Sequence, residues 1–129
     1  MLINAIPQYI QNITNAKADL TGTGVVTLYT APSGAEFNSS VINSFLVSED
    51  SGNADTITVT ITNGTTVFSL FNVAAVGANA TVELLTHSLV LQGGEILKVQ
   101  AATGNRLHVV ASIQEYAQNR STTSTLSQI

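Results

Sequence analysis

Asp55-Thr-Ile-Thr-Val-Thr-Ile-Thr62 places Ile57, Val59 and Ile61 on one side of the chain and Thr56, Thr58, Thr60 and Thr62 on the other. A period of two is the signature of a strand buried on one face and wet on the other. Asn63-Gly64 follows at once, and both residues accept the positive φ that a tight hairpin turn requires. The chain then alternates again from Thr65 to Phe71, with Val67, Ser69 and Phe71 set against Phe68 and Leu70. This hairpin makes the protein a sheet protein, and the flanking sequence agrees with it.

Upstream, Val25-Val-Thr-Leu-Tyr-Thr30 reads as a strand closed by the turn residues of Ala31-Pro-Ser-Gly34. Glu36 to Val47 reads as a long strand with Phe37, Val41, Phe45 and Val47 at even spacings. Ile42 and Leu46 fall on the opposite parity, so the strand either buries both faces in part or contains a bulge. Downstream, strands are expected over 81–85, 88–91, 95–101 and 106–113, with Ile96 and Lys98 opposed to Leu97 and Val99. Val73 to Asn79 reads as a small-residue connection. About eight or nine short strands with frequent turn signals and no convincing helix predict an all-β fold, a single antiparallel β-sandwich of jelly-roll type.

The ends differ from the middle. Residues 1–20 are mixed in pattern, with Pro7 opposing a helix, and read as an N-terminal arm holding a short strand over 8–14. Residues 21–116 form the sandwich domain. Residues 117–129 are a polar tail unable to build a core of their own. Both termini are therefore expected to be extended arms. Their apolar residues, Leu2, Ile3, Ile6, Tyr9, Ile10, Ile13, Leu126 and Ile129, are the candidates for partner contact, because apolar side chains on an arm are costly unless something covers them.

Composition narrows the function. The 129 residues carry a net charge of -4, and only 9% are charged, against roughly 25% in ordinary soluble domains. Lys17, Lys98, Arg106 and Arg120 are scattered, too few to follow a phosphate track, so no nucleic-acid partner is expected. A surface so short of charge offers little repulsion against self-association, which suits a subunit of a larger assembly. With no Cys there are no disulfides, thiol nucleophiles or thiolate metal sites. The first residues lack the basic start and apolar run of a secretory signal, and no stretch reaches the roughly 18 apolar residues of a membrane helix. A cytoplasmic site of synthesis and assembly is expected.

No motif carries chemistry. His87 and His108 lack metal-ligand spacing and read as structural or surface residues. No G-x-S-x-G elbow or phosphate loop is present. Glu49, Asp50 and Asp55 crowd one loop and are the only candidate for a weak cation site, such as one assisting a carbohydrate-binding sandwich. Glutamates spread along strands make no recognisable acid–base pair. The expectation is a protein that is not an enzyme, with no catalytic or metal-binding residues, no cofactor and no small-molecule substrate.

Four segments together carry a resemblance: Thr27-Leu-Tyr-Thr-Ala-Pro-Ser-Gly34, Asp55-Thr-Ile-Thr-Val-Thr-Ile61, Leu89-Val-Leu-Gln-Gly-Gly-Glu-Ile-Leu-Lys-Val99 and Leu107-His-Val-Val-Ala-Ser112. Over roughly residues 25–115 the chain resembles small virion structural proteins of tailed bacteriophages. The resemblance implies a compact β module located in the virion. It favours a capsid decoration (cement) protein on the head exterior, with the major capsid protein and copies of itself, as a homotrimer, for partners. A tail, collar or fibre-associated adaptor is the alternative role. No catalytic residues come with it, and the arms lie outside it.

Overall fold

The computed structural model describes residues 8–118, apart from the side chains of residues 8, 9, 38 and 118. Among them nine strands form two antiparallel sheets: β1 (Gln8–Leu20), β2 (Val26–Thr30), β3 (Phe37–Glu49), β4 (Asp55–Thr62), β5 (Val67–Val76), β6 (Thr81–Glu83), β7 (Leu89–Gln92), β8 (Ile96–Ala101) and β9 (Leu107–Gln118). The first sheet runs β1-β9-β3, with β6 and β7 sharing the far side of β3. The second runs β2-β8-β4-β5. The expected all-β sandwich is the fold.

Its core is the sum of the inward parities. Ile57, Val59 and Ile61 of β4 and Leu97, Val99 and Ala101 of β8 are buried, as the period of two predicts. They belong to one apolar cluster with Ile42, Phe45 and Val47 of β3, Leu91 of β7, and Leu107, Val109, Ala111 and Ile113 of β9. Burying each large side chain of this kind contributes about 1.5–3 kcal/mol, which suffices without disulfides or metals.

The structure departs from the sequence reading in the extent of β1, β5 and β9 and in the turn after β4. The strand expected over 8–14 in an N-terminal arm runs on to Leu20 and pairs with β9 along its length, so residues 8–20 belong to the sandwich. Its inward positions are Thr14, Ala16, Ala18 and Leu20, three of them small, so the alternation is weak to the eye. In β3 a register shift between Ile42 and Ser44 resolves the conflicting parities. Ile42, Phe45 and Val47 point inward, while Leu46 is exposed and Val41 half-buried.

The return strand of the hairpin starts later than expected and continues through Val76, across what reads as a connection. It accommodates a bulge: Ile57 pairs with Ala74 and Val59 with Phe71, leaving Asn72 and Val73 opposite Thr58. Val73 adopts φ 53°, unusual for a β-branched residue, and its amide donates to Thr58 Oγ1 at 3.1 Å. The turn also works differently from its motif. Gly64 takes a positive φ, but Asn63 does not; its Oδ1 instead accepts from the amides of Thr65 and Thr66 at 3.0 and 2.9 Å. Finally, β9 runs to Gln118, past the expected end at Ile113. Residues 1–7 and 119–129 lie outside the described residues.

The loop after β1 packs on the turn between β8 and β9. The amide of Asn105 donates to the Leu20 carbonyl at 2.9 Å, and a Cβ on Gly104 would stand 2.4 Å from the Thr21 carbonyl oxygen. Backbone cannot yield cheaply there. Gly104→Ala is expected to lower stability by about 1–3 kcal/mol. Gly24→Ala, which meets nothing within 4 Å, should stay within about 0.5 kcal/mol of the parent in urea unfolding.

Candidate interaction surface

The carboxylates of the described residues are largely committed to holding the fold. Glu49, at the end of β3, is 2% exposed; it accepts from the amides of Ser51, Gly52 and Asn79 at 2.7, 3.1 and 3.0 Å and from the Ser51 hydroxyl. It therefore binds the β3–β4 loop to the loop before β6. Burial, the largest single influence, pushes the carboxyl up, but the hydrogen bonds together outweigh it and lower it from 4.5 to about 2. Asp55 Oδ2 accepts from the Thr103 amide at 3.1 Å. Asp50 instead faces His108. The three acids suggested as a cation site thus serve three separate sets of partners, and no cluster of three or more metal-ligating side chains occurs among the described residues.

Glu83 repairs a gap in the sheet. Between β6 and β7 the edge beside β3 is interrupted, and there Glu83 accepts from the Phe45 amide at 2.6 Å, the Leu85 amide at 3.3 Å and the Ser44 hydroxyl. Burial raises its pKa and these bonds lower it, with a net shift downward. Tyr29 links the two layers. From β2 its hydroxyl donates to Glu115 of β9 and lies 2.7 Å from Ser40 Oγ of β3, while Asn12 of β1 donates to the other Glu115 oxygen at 3.1 Å. Burial, then the hydrogen bond and charge of Glu115, push the phenol above its ordinary 10.0, with Ser40 acting in the opposite sense.

His108 sits on the outer face of the first sheet, between Asp19 of β1 and Ser48 of β3. Its Nε2 is 3.3 Å from Asp19 and its Nδ1 3.6 Å from Asp50. His108 thus lies beside two exposed carboxylates. His87 lies in the turn between β6 and β7, on a different part of the chain. A shallow cleft of about 340 Å³ over β4 and β8 is lined by Thr23, Thr56, Thr58, Val73 and Gln100, none of them an acid or base.

What the fold does assemble is an apolar outer face. Strand register aligns Ile13, Gln114, Val41 and Val90 in one row across β1, β9, β3 and β7. Ile13 is 72% exposed and Val90 55%. The next row places Ile10, 40% exposed, beside Tyr116. Gln8 pairs with Gln118, so both chain ends leave the sandwich side by side at this same pole. Of the residues expected to make contacts, Ile10 and Ile13 are therefore brought together on an exposed face. Leu2, Ile3, Ile6, Leu126, Ile129 and the side chain of Tyr9 lie outside the described residues. Val41 and Val90 joined the patch only through cross-strand register, which no local motif announces.

No protein-family model matches the chain, and no curated protein matches it. Among solved structures it is similar to a chain of the acidic stable capsid structure of Helicobacter pylori bacteriophage KHP30. That likeness has 14% identity, covers 86% of this chain and 93% of the other, and has a TM-score of 0.54. It is also similar to a pentameric capsid protein isolated from metagenomic phage sequences (18% identity, 83% of this chain, 62% of that one, TM-score 0.48). A third likeness is to the capsid asymmetric unit of cyanophage Pam1 (12% identity, 92% and 94%, TM-score 0.40). The chain spans less than two thirds of the two pentameric capsid chains, 62% and 64%. At these identities the likeness is one of fold.

Two of these polar ties can be tested. Glu49 is held below its unfolded value, so its contribution to stability is complete above about pH 4.5 and is lost as pH falls toward about 2. Glu49→Gln should lower the urea midpoint at neutral pH and flatten its fall across that window. Tyr29→Phe leaves the fully buried Ser40 hydroxyl without this partner, at a cost of about 1–3 kcal/mol in the same assay.

Proposed function

We propose that this chain is a structural protein of a phage virion, a decoration subunit that seats on the outside of the head shell and reinforces it without catalysing a reaction. The observation that carries this reading is the row of Ile13, Gln114, half-buried Val41 and Val90, exposed at Ile13 and Val90 and with Ile10 beside it, at the end of the sandwich where Gln8 pairs with Gln118. Such a face is costly in water and gains by contact with a partner surface. In this reading the apolar residues expected for contact beyond the sandwich, Leu2, Ile3, Ile6, Leu126 and Ile129, add contact to neighbouring shell subunits. Many copies, each held weakly, then act together on one lattice.

Two further observations support it. The likeness to a chain of the KHP30 capsid structure covers 86% of this chain and 93% of that one, so a sandwich of this size occurs in a capsid structure. The scattered cations offer no track for nucleic acid, leaving the major capsid protein and other copies of this chain as partners.

Heads of the encoding phage, assembled without this protein, provide the test. The purified chain should co-sediment with them saturably. Ile13→Asp and Val90→Asp should each weaken binding by about tenfold or more, and removal of residues 1–7 should weaken it without unfolding the sandwich. Sedimentation with purified tails and not with heads would move the protein to the adaptor role.

A further inference from the structure

The shallow cleft over β4 and β8 holds no acid or base, yet its polar groups are deliberately oriented. Its floor is the outer face of the second sheet, where Thr56 and Thr58 of β4 stand beside Gln100 of β8, with Thr58 directly opposite Gln100. Thr23, in the loop before β2, forms one wall, and Val73, in the bulge of β5, forms another. Two of the polar side chains are fixed through one hydrogen bond and keep the complementary capacity. Thr58 Oγ1 accepts from the Val73 amide at 3.1 Å, which leaves its hydroxyl proton to donate. Gln100 Nε2 donates to the Thr23 carbonyl at 3.0 Å. A carbonyl can only accept, so the orientation of the amide is set and Oε1 is left as an acceptor. Thr56 adds a second hydroxyl. Val73 is 59% exposed and held at φ 53°. A β-branched residue in the left-handed region is strained, and such strain gathers at ligand sites, where the surrounding contacts hold it. Here the contact that holds it is the one that orients the Thr58 hydroxyl.

We propose that this cleft is a binding site for a short neutral saccharide. No charged side chain lines it, so an anionic ligand finds no counter-ion there and a metal ion finds no carboxylate. Lys98 lies one outward row away, opposite Thr60, and Asp55, next to Thr56, is buried and bonded to the Thr103 amide. A sugar hydroxyl both donates and accepts. Neighbouring hydroxyls of one ring can therefore accept from Thr58 and donate to Gln100 Oε1 together, while the C–H groups of the ring lie against Val73 and Ala102. The volume of about 340 Å³ is at the lower end of the roughly 300–1,000 Å³ of small-molecule sites, which suits a short saccharide. The site draws on none of Glu49, Asp50 and Asp55, so binding through it needs no metal ion. It lies on the outer face of the second sheet, whereas the Ile13–Val90 row lies on the first, so the proposal stands whether or not the chain binds phage heads.

Titration of the isotope-labelled full chain with lactose, maltose, cellobiose and diacetylchitobiose, followed through amide chemical shifts, tests the site. At least one sugar should saturably shift the amides of Thr56, Thr58, Val73, Gln100 and Ala102, with a dissociation constant on the order of 1 mM. EDTA should leave the response unchanged. Gln100→Leu, which keeps the bulk and removes the acceptor, should raise that constant about fivefold or more with far-UV circular dichroism unchanged. If Gln100→Leu fails to fold, Thr56→Val answers the same question. Val73→Gly accepts the positive φ but removes the apolar wall, so it should weaken sugar binding without lowering the urea midpoint. Ile13→Asp, the variant that weakens head binding, should bind sugar as the parent does. The proposal is overturned by no shift at these amides with any of the four sugars, by shifts centred elsewhere, by a response abolished with EDTA, or by a folded Gln100→Leu chain that binds like the parent.

Discussion

The two sheets are held together by side chains that have no other way out of water. Ile57, Val59 and Ile61 on β4 and Leu97 and Val99 on β8 are inward by parity, and each requires a facing layer. β3 and β9 supply it with Ile42, Phe45, Val47, Val109, Ala111 and Ile113. Because side chains alternate strictly, a slip of one residue in any of these strands would turn its whole apolar set toward solvent. Register is therefore tightly specified. The outer faces inherit their arrangement from it, including the row that ends at Ile13 and Val90.

In so charge-poor a chain, the acids are occupied as fasteners. Glu49, Glu83, Asp55 and Glu95 each accept at least one backbone amide that the sheets or turns leave unpaired. Glu115 takes the Tyr29 hydroxyl across the layers. A carboxylate engaged in this way is stabilised in its ionised form and poorly placed to exchange protons.

What is left exposed is then informative. Around Ile10, Ile13, Val41 and Val90 the outer face of the first sheet is apolar, as are Val67 and Phe68 at the start of β5, and both lie toward the end of the sandwich where Gln8 pairs with Gln118. Thr30, Thr62 and Ile96 align at that end of the second sheet, and Tyr29 ties it to Ser40 and Glu115 of the first. Against β4, β5 shifts register twice, at Leu70 and at Asn72–Val73.

The class of fold was legible in the chain because period-two burial is a local property: Asp55 to Thr62 displays it without reference to any other segment, and Ile96 to Ala101 does the same. The exposed character of Ile10 and Ile13 could also be read there. The extent of β1 could not, since its inward side is lined by Ala16 and Ala18, whose small side chains carry little periodic signal. Nor could the continuation of β5 past Val73 or the alignment of Ile13 and Val90 at the two ends of one row, whereas the bulge in β3 was one of the two alternatives its parities offered. Those depend on hydrogen-bond register between strands far apart in sequence, set only when the two layers close over a common core.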